Sequence, residues 1–521
     1  MLDIAVLLWV ACIFFAAVFF SSISILQLIP KKKLSFDKGI LYPLSACLLS
    51  LVLCLSVWPP LHRVYDDELT FISQSCNILS SGKASITTKG TLLHPEAMVS
   101  WTVDPKLPGF AWMEAVVSFF TRDHQQSYFI LNIVLGVLSV GAAYRIVWLL
   151  TASYALAWWS AVLLACLPVR ITYAMSASSD IAGLFFFLLF LLFLCEYKGS
   201  RSRRVLYAAL FCGIYSVCIK QFCAVLVFPV FAVALSIYRR DGLLDGKLFI
   251  RLLRDSFFLS LPILFSIPVF LGSDLKAGGY SFLFMYKNIC TSLQYLFNYE
   301  QSTLLTSLAA TAAVLRSVFY KRNDLTIGAL VWLLAGLLMM SVFYAGGIHY
   351  PGRAYSDRYF LLLSFPFVFL AAQGLVDIIK GAWSRFWNVL FFIFLVLNAF
   401  YASSHLTREA RDGFYARKTS LLRQVSVVVG QDAYILNGTP GMVSMVSSRR
   451  SMLIDLFLDG DHPEKVVFLQ GIPDDLYDPD DPQRMLAVEN ILKARYRCDP
   501  LVNTPFKEAD LSAIPLLCDR D

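Results

Sequence analysis

Residues 41–71, LYPLSACLLSLVLCLSVWPPLHRVYDDELTF, decide the fold class of this chain. The first two thirds of this stretch form an apolar run that can cross the hydrocarbon core of a bilayer, which takes about 20 helical residues. Three consecutive carboxylates, Asp66, Asp67 and Glu68, follow almost directly. Because charged groups are costly inside a bilayer, the chain leaves the membrane here. The stretch therefore predicts a membrane helix that opens into an acidic loop.

The composition of the whole chain predicts a polytopic membrane protein. The 521 residues are 58% hydrophobic and 16% charged, against about 25% charged in a soluble domain. Mean hydropathy is +0.64. The net charge of +7 does not indicate nucleic-acid binding, because Lys and Arg in such a protein report topology, and we expect no nucleic acid as a partner. The first segment lacks a basic start and is too long for a cleaved signal peptide, so we expect a retained helix.

The apolar runs predict about twelve spans, at residues 4–29, 39–58, 127–149, 152–168, 181–196, 205–219, 222–238, 256–272, 303–319, 325–345, 359–379 and 387–402. Lys and Arg then cluster in alternate loops, at residues 31–38, 198–204, 239–254, 321–322 and 380–385. The positive-inside rule makes these loops cytoplasmic. The opposite loops are predicted to face outward, at residues 60–126, 273–302 and 346–358, together with the tail 403–521.

The outward parts of the chain predict two further units. GFAWMEAVVSFF, from Gly109 to Phe120, is too short to span and carries Glu114, so we expect an interfacial helix in the large first loop. QVSVVVGQDAYILNGTPG, SMLIDLF and KVVFLQGIPDD indicate strands and turns of a small C-terminal α/β domain. We therefore divide the chain into a membrane domain, 1–402, and an outer domain, 403–521. Whether Cys498 and Cys518 form a disulfide is left open; an oxidising side would allow it.

Polar residues recur where predicted spans meet the outer side. Each has an ordinary interpretation, as a helix start or as a cation that snorkels to the interface. Together they predict a polar cavity in the outer leaflet, because ionisable groups near hydrocarbon usually have a function. Cations there can hold a lipid-linked phosphate, and a carboxylate can deprotonate an attacking hydroxyl. The residues concerned are Asp66, Asp67, Glu68, Lys106, Asp180, Lys220, Arg353, Asp357, Arg358 and Tyr359.

The order and placement of these motifs resemble the polyprenyl-phosphate-dependent glycosyltransferases of the GT-C superfamily. The pattern is most similar to lipid A aminoarabinose transferases and protein O-mannosyltransferases. These families open the first outer loop with an Asp-Glu pair followed by an aromatic residue, which matches Asp67, Glu68 and Phe71. Their Lys-Pro-Pro-Leu-like element resembles KLPGFAW, which begins at Lys106 and lacks one proline.

Two later motifs extend the resemblance to about residues 60–400. Ser179-Asp180 is similar to the Ser/Thr-Asp that begins a span in these families. Arg358-Tyr359, with Pro366 further on, is similar to their late Arg-Tyr span. The chain departs from the pattern by an extra N-terminal helix, and no motif is assigned in the tail.

The resemblance implies an inverting transfer of a sugar from a polyprenyl phosphate to a lipid, surface glycan or protein acceptor, beside membrane lipids. It implies that Asp67 is the catalytic carboxylate. The expected catalytic group is Asp67, Glu68 and Asp180; the expected donor-phosphate contacts are Lys106, Arg358, Arg353 and Lys220; the expected substrate contacts are Asp66 and Tyr359. We expect no cofactor; a divalent metal held by the acidic triplet is possible in principle but not favoured.

Two alternatives stay open at this point. One is an oligosaccharide transferase or ligase that uses a diphosphate-linked donor. The other is a lipid or glycan transporter, although transporters typically show internal repeats and charges in the middle of spans. No P-loop or Rossmann glycine fingerprint is present in the sequence, which argues against a nucleotide-sugar donor. A bacterial inner membrane, with the site facing the periplasm or the outside, is the expected location.

Overall fold

The structure, a computed structural model, describes residues 2–28, 38–62, 65–92, 94–100, 107–122, 126–274, 290, 304–319, 324–343, 357–378, 384–412, 414–437, 449–470, 482–501, 506–508 and 511–520. Helices dominate, because a chain in hydrocarbon must satisfy its backbone polar groups within each segment. The first eleven helices are α1 Leu2–Leu28, α2 Lys38–Ser56, α3 Tyr65–Ser81, α4 Gly109–Thr121, α5 Gln126–Thr151, α6 Tyr154–Ala165, α7 Pro168–Ala174, α8 Asp180–Ser200, α9 Arg203–Ile219, α10 Ala224–Arg240 and α11 Gly246–Asp274.

The later helices continue the bundle and then enter the tail. They cover Leu304–Phe319, Asp324–Phe343, Asp357–Ile378, Ser384–Asp412, Phe414–Val428, Ile454–Leu458 and Pro482–Arg495. A short 3₁₀ turn, Gln221–Cys223, joins α9 to α10.

The predicted polytopic helical fold is confirmed, whereas the count of twelve spans is not. Each predicted span coincides with a helix. Among the described residues, six helices are long and apolar enough to cross a membrane, or seven if the bent pair α6–α7 counts as one span. The bend between α6 and α7 is 61°. Several other apolar helices are shorter, such as Leu305–Phe319 and Asp324–Leu338.

A buried arginine stabilises the break between α6 and α7. Carbonyls at the end of a helix have no partner within that helix. The fully buried Arg170 donates to the carbonyl oxygens of Ala165 and Gly136, at 3.1 Å each. Ala165 is the last residue of α6, and Gly136 lies in α5. The guanidinium thus supplies donors where the chain turns inside the bundle.

An eight-stranded sheet joins the first outer loop to the tail, in the order β2-β1-β4-β3-β5-β8-β6 with β7 paired to β8. Its strands are β1 Ser85–Gly90, β2 Pro95–Ser100, β3 Tyr434–Asn437, β4 Ser451–Leu453, β5 Lys465–Gln470, β6 Tyr496–Pro500, β7 Phe506–Glu508 and β8 Leu511–Arg520. The β1–β2 hairpin is antiparallel, and β1 pairs with β4 through Lys89 opposite Met452. The division at residue 403 stays a prediction, and this sheet takes strands from both sides of it.

Side-chain contacts reinforce the junction between hairpin and tail. Lys89 Nζ lies 2.8 Å from Asp461 Oδ2 and 5.1 Å from the centre of the Tyr434 ring. The Tyr434 hydroxyl donates to Glu96 of β2, and Arg450 lies 3.5 Å from the same carboxylate. Two cations, two carboxylates and a phenol therefore link the β1–β2 hairpin to the tail.

The tail confirms some predicted strands and corrects one. Tyr434–Asn437, Ser451–Leu453 and Lys465–Gln470 are strands as expected. QVSVV is instead the end of the helix Phe414–Val428, because Leu421, Leu422 and Val425 repeat at helical spacing and are buried. The predicted NGTPG turn lies largely outside the described residues. The disulfide left open by the sequence is present, since Cys498 and Cys518 pair across β6 and β8.

Candidate active site

The acidic triplet opens α3, and its third carboxylate is buried. Asp66 and Asp67 lie in the first turn of α3; their side chains are outside the described part of the structure. Glu68 is fully buried, and its Oε2 lies 2.6 Å from His62 Nδ1. A burial this complete excludes a simple solvated helix start for Glu68. Sequence reasoning missed His62, although its position six residues before a carboxylate was the available signal.

Polar contacts tie α3 to the β1 strand. Asn77 Nδ2 donates to the Ser85 carbonyl at 2.8 Å and to Thr87 Oγ1 at 3.1 Å. The Thr87 backbone N–H donates to Ser73 Oγ at 2.8 Å. These bonds face the β1–β2 hairpin, so α3 packs against the rest of the first outer loop. The hairpin, and through it the tail, helps to orient the acidic end of α3.

Asp180 and Lys220, predicted in different roles, form an ion pair. Asp180 is the first residue of α8, and Lys220 occupies the extended break between α9 and the 3₁₀ turn. Their side chains are only 2% and 11% exposed. Gly183, one turn into α8, makes room for the lysine, since an added Cβ would lie 3.3 Å from Lys220 Cβ. The pair therefore joins the outer end of α8 to the α9–α10 break.

The loop before α8 connects the two buried pairs. The Leu61 backbone N–H donates to the Met175 carbonyl at 3.1 Å, one residue from His62. Asn132 of α5 donates to the carbonyls of Ser176 and Ser178 at 2.7 and 2.8 Å. These bonds fix residues 175–179, which lead into Asp180. The segment with His62 and the start of α8 are thus parts of one assembly.

The start of α4 packs against the end of α9 through Gly109. A Cβ at Gly109 would lie 2.5 Å from the carbonyl carbon and oxygen of Cys218, so only glycine fits there. Tyr215 also donates its hydroxyl to the Gly109 carbonyl at 2.8 Å. Lys106 is outside the described residues, but it precedes Gly109 by three residues. The start of α4 therefore lies beside the end of α9, next to the break that holds Lys220.

The remaining predicted residues are only partly described. Arg353 lies outside the described residues, as does Lys106. Arg358 and Tyr359 lie in the first turn of the helix Asp357–Ile378, without described side chains. Within the described part of the chain, no three His, Cys, Asp or Glu side chains come together as metal ligands. The expectation of a metal-free site stays a prediction, because the Asp66 and Asp67 side chains are not included.

A second buried acid, Glu114, lies near the Glu68–His62 pair. It belongs to α4, which is a helix as predicted but is buried on one side within the protein. Burial raises the pKa of Glu114 well above its ordinary value, and the nearby Glu68 carboxylate raises it further. The site thus has two carboxyl groups in different environments, one with a histidine partner and one without.

Comparisons with known proteins find one family model and several solved structures that are similar to this chain. Residues 104–264 match the model of the dolichyl-phosphate-mannose-protein mannosyltransferase family, a stretch that includes Lys106, Asp180 and Lys220. A search of curated proteins finds no match. The fold is similar to that of ArnT from Cupriavidus metallidurans bound to undecaprenyl phosphate, with 12% identity, a TM-score of 0.52, and coverage of 92% of this chain and 97% of that chain.

A second solved structure has a comparable likeness. It is the archaeal oligosaccharyltransferase AglB from Archaeoglobus fulgidus in complex with an inhibitory peptide and a dolichol-phosphate. The identity is 12% and the TM-score 0.50, and the likeness covers 89% of this chain and 73% of that chain. The resemblance predicted from the sequence is therefore supported: the chain shares the fold of these two solved structures, and residues 104–264 match the mannosyltransferase family model.

Proposed function

We propose that the protein is an inverting glycosyltransferase that moves a sugar from a polyprenyl-phosphate donor to an acceptor hydroxyl outside the cytoplasm. The observation that carries this proposal is that the Glu68–His62 pair, the Asp180–Lys220 pair and the start of α4 lie on neighbouring segments. Acids and a cation are held there by buried contacts rather than by solvent. An arrangement of this kind suits a substrate with a sugar and a phosphate.

Asp67 is assigned the role of general base. The acceptor O–H gives its proton to the Asp67 carboxylate while the acceptor oxygen bonds to the anomeric carbon. The bond from that carbon to the phosphate oxygen breaks, and its electron pair leaves with the polyprenyl phosphate. Because attack and departure occur on opposite faces, the anomeric configuration inverts. Glu68, next in α3 and fixed by His62, keeps the first turn of the helix in place.

The cations are assigned to the leaving phosphate. Lys106, Arg353 and Arg358 are expected to neutralise the phosphate charge as it develops, which lowers the barrier by electrostatic stabilisation. Lys220 is shared between Asp180 and the phosphate, so Asp180 sets the direction of the ammonium group. Asp66 and Tyr359 are assigned to sugar or acceptor contacts.

Two observations support a site that faces the outside of the membrane, for which we propose a bacterial inner membrane. Basic residues gather in the loops on the opposite side of the predicted spans. The Cys498–Cys518 disulfide lies in the tail, and disulfides persist in oxidising compartments. The acceptor, a lipid, a surface glycan or a protein, is left to the assay.

The test is sugar transfer in membranes that contain the wild type, Asp67→Asn or Glu196→Gln. Glu196 is a matched control, because it is also a buried carboxylate but lies at the far end of α8, where it pairs with Arg145 at 2.6 Å. Radiolabelled polyprenyl-phosphate sugars serve as donors, with native lipid and glycan extracts as acceptors. We expect transfer by the wild type and Glu196→Gln, and its loss in Asp67→Asn at equal protein level.

Two additions to this assay, a diphosphate-linked donor and a labelled lipid followed across the bilayer, separate the alternatives. Equal transfer by the wild type and Asp67→Asn removes Asp67 as the base. Transfer only from a diphosphate-linked donor supports the oligosaccharide transferase or ligase. Movement of a labelled lipid across the bilayer without a new glycosidic bond supports the transporter, and then the proposal is wrong.

A further inference from the structure

Glu114 is a buried carboxyl group that the proposed reaction does not use. It is fully buried, and neither of its two oxygens has a hydrogen-bond partner among the described residues. A carboxylate without partners is among the most expensive groups to bury, whereas a neutral carboxylic acid costs far less. The surroundings of this side chain therefore favour the protonated form.

Three contacts fix α4 and leave Glu114 little freedom to reach solvent. Phe110 packs edge-on against Phe71 of α3, with ring centres 5.3 Å apart. Ser118 hydrogen-bonds to Ser127 of α5 at 2.8 Å. Tyr215 of α9 holds the first carbonyl of α4, as described above. Because three neighbouring helices hold α4, the Glu114 carboxyl stays in the interior.

The titratable groups around Glu114 decide whether a negative charge on its carboxyl group is stabilised. The groups that interact with it electrostatically are Glu68 and Cys76 of α3, Tyr128 of α5 and Tyr215 of α9. None of these groups is a cation. Residues 5–25 of α1, the fourth helix packed nearby, include no Lys, Arg, His, Asp or Glu. The histidine of this site, His62, lies 2.6 Å from Glu68.

Two carboxyl groups so close in a buried site cannot both be charged at low cost. Within the described part of the chain, Glu68 has a basic partner, His62 at 2.6 Å, and Glu114 has none. The proton of the pair therefore belongs on Glu114 and the negative charge on Glu68. Asp67 directly precedes Glu68 in the first turn of α3, so a repulsion that moves Glu68 also moves Asp67.

We propose that Glu114 is a positioning residue that holds a proton at neutral pH, so that the negative charge of the Glu68–Glu114 pair stays on Glu68 beside His62. While Glu114 is neutral, the first turn of α3, with Asp67 and Glu68, keeps its position. Ionisation of Glu114 places a second negative charge next to Glu68 and displaces that turn. The proposed protonation state of Glu114 does not depend on the proposed function. The effect on sugar transfer rests on that function.

The first measurement is infrared spectroscopy of the purified protein in lipid, which detects the carbonyl stretch of a protonated carboxylic acid. We expect the wild type to show this band at neutral pH, Glu114→Gln to lose it, and the control Glu196→Gln to keep it. The band should disappear from the wild type as the pH is raised. If the wild type shows no such band, or a band that does not disappear as the pH is raised, the proposal is wrong. This result decides the proposal even if the variants do not fold.

The second measurement is the pH profile of transfer by the same proteins. In the wild type we expect transfer to fall as the pH rises, by about tenfold per pH unit once Glu114 ionises. Because glutamine cannot ionise, Glu114→Gln should transfer sugar at neutral pH and should lose transfer only at a higher pH than the wild type. Identical profiles for the two proteins overturn the positioning role. If the wild type transfers no sugar at all, the proposed function fails while the infrared result still decides the proton on Glu114.

Discussion

Breaking the Asp180–Lys220 pair from one side should strongly destabilise the protein. Both side chains are nearly inaccessible, at 2% and 11% exposure, so water cannot replace a missing partner. Removing one member of such a pair leaves an uncompensated buried charge and costs about 3–5 kcal/mol. That is a loss of roughly a hundredfold to a few thousandfold in the ratio of folded to unfolded protein. We expect this cost for Asp180→Leu and for Lys220→Met.

The double variant should recover most of the lost stability. With both charges gone, Leu and Met fill the site as apolar side chains, and such replacements are often nearly neutral. We therefore expect the Asp180→Leu, Lys220→Met protein to unfold within about 1–2 kcal/mol of the wild type. The coupling energy from the double-mutant cycle should then be at least about 3 kcal/mol. Sugar transfer should nevertheless stay lost, because the recovered fold lacks both functional groups.

The assay is denaturant unfolding in detergent micelles, followed by tryptophan fluorescence, with Arg145–Glu196 as the control pair. Arg145 is 39% exposed and can be solvated when Glu196 is removed, so its coupling should be about 1 kcal/mol or less. Purely additive costs for Asp180 and Lys220 would refute the reasoning. Equal coupling in the two pairs would also refute it, since burial is the stated cause.

Three further outcomes are expected. Gly109→Ala should cost about 1–3 kcal/mol in thermal unfolding, because its Cβ would clash with Cys218, whereas Gly199→Ala, with no atom within 4 Å, should be nearly silent; equal shifts contradict this. Loss of the Cys498–Cys518 disulfide, with a sequence separation of 20, should cost about 3 kcal/mol, and a reductant should lower the stability of the wild type but not of the double alanine variant. Burial, followed by the hydrogen bond to Glu96, raises the pKa of Tyr434 from 10.0 to about 12. Its stabilising contribution is complete below pH 10 and lost as the pH rises through 12, so Tyr434→Phe should unfold with less pH dependence in that interval.

The sequence predicts those features that depend on local patterns. Apolar runs predicted the helices, since length and hydropathy suffice to indicate a segment that satisfies its own backbone in lipid. The polar residues at helix ends indicated a site, and the structure brings Asp180 and Lys220 together as neighbours. The direct pairing between them was not predicted, because it depends on how α8 packs against the α9–α10 break.

Long-range pairing explains most of what the sequence did not reveal. No residue near Lys89 indicates that strand β1 pairs with strand β4, where Met452 lies opposite Lys89. The burial of Glu68 likewise depends on His62 and on the packing of α3, rather than on the acidic triplet itself. QVSVV was assigned as a strand because β-branched residues favour strands, but burial of Leu421, Leu422 and Val425 on one side favours the helix.

The sheet shared by hairpin and tail also sets an order of events during synthesis. Strand β1 emerges early, yet its neighbour β4 lies far ahead in the chain: Gly90 and Ser451, which hydrogen-bond, are 361 residues apart. At about 5–20 residues per second, roughly 20–70 s separate the two. During that interval β1 presents an unpaired edge, while the helices between them enter the membrane. The pairing of the β1–β2 hairpin is therefore completed last, and a chain that stops before residue 451 has its membrane helices but leaves the β1 edge unpaired.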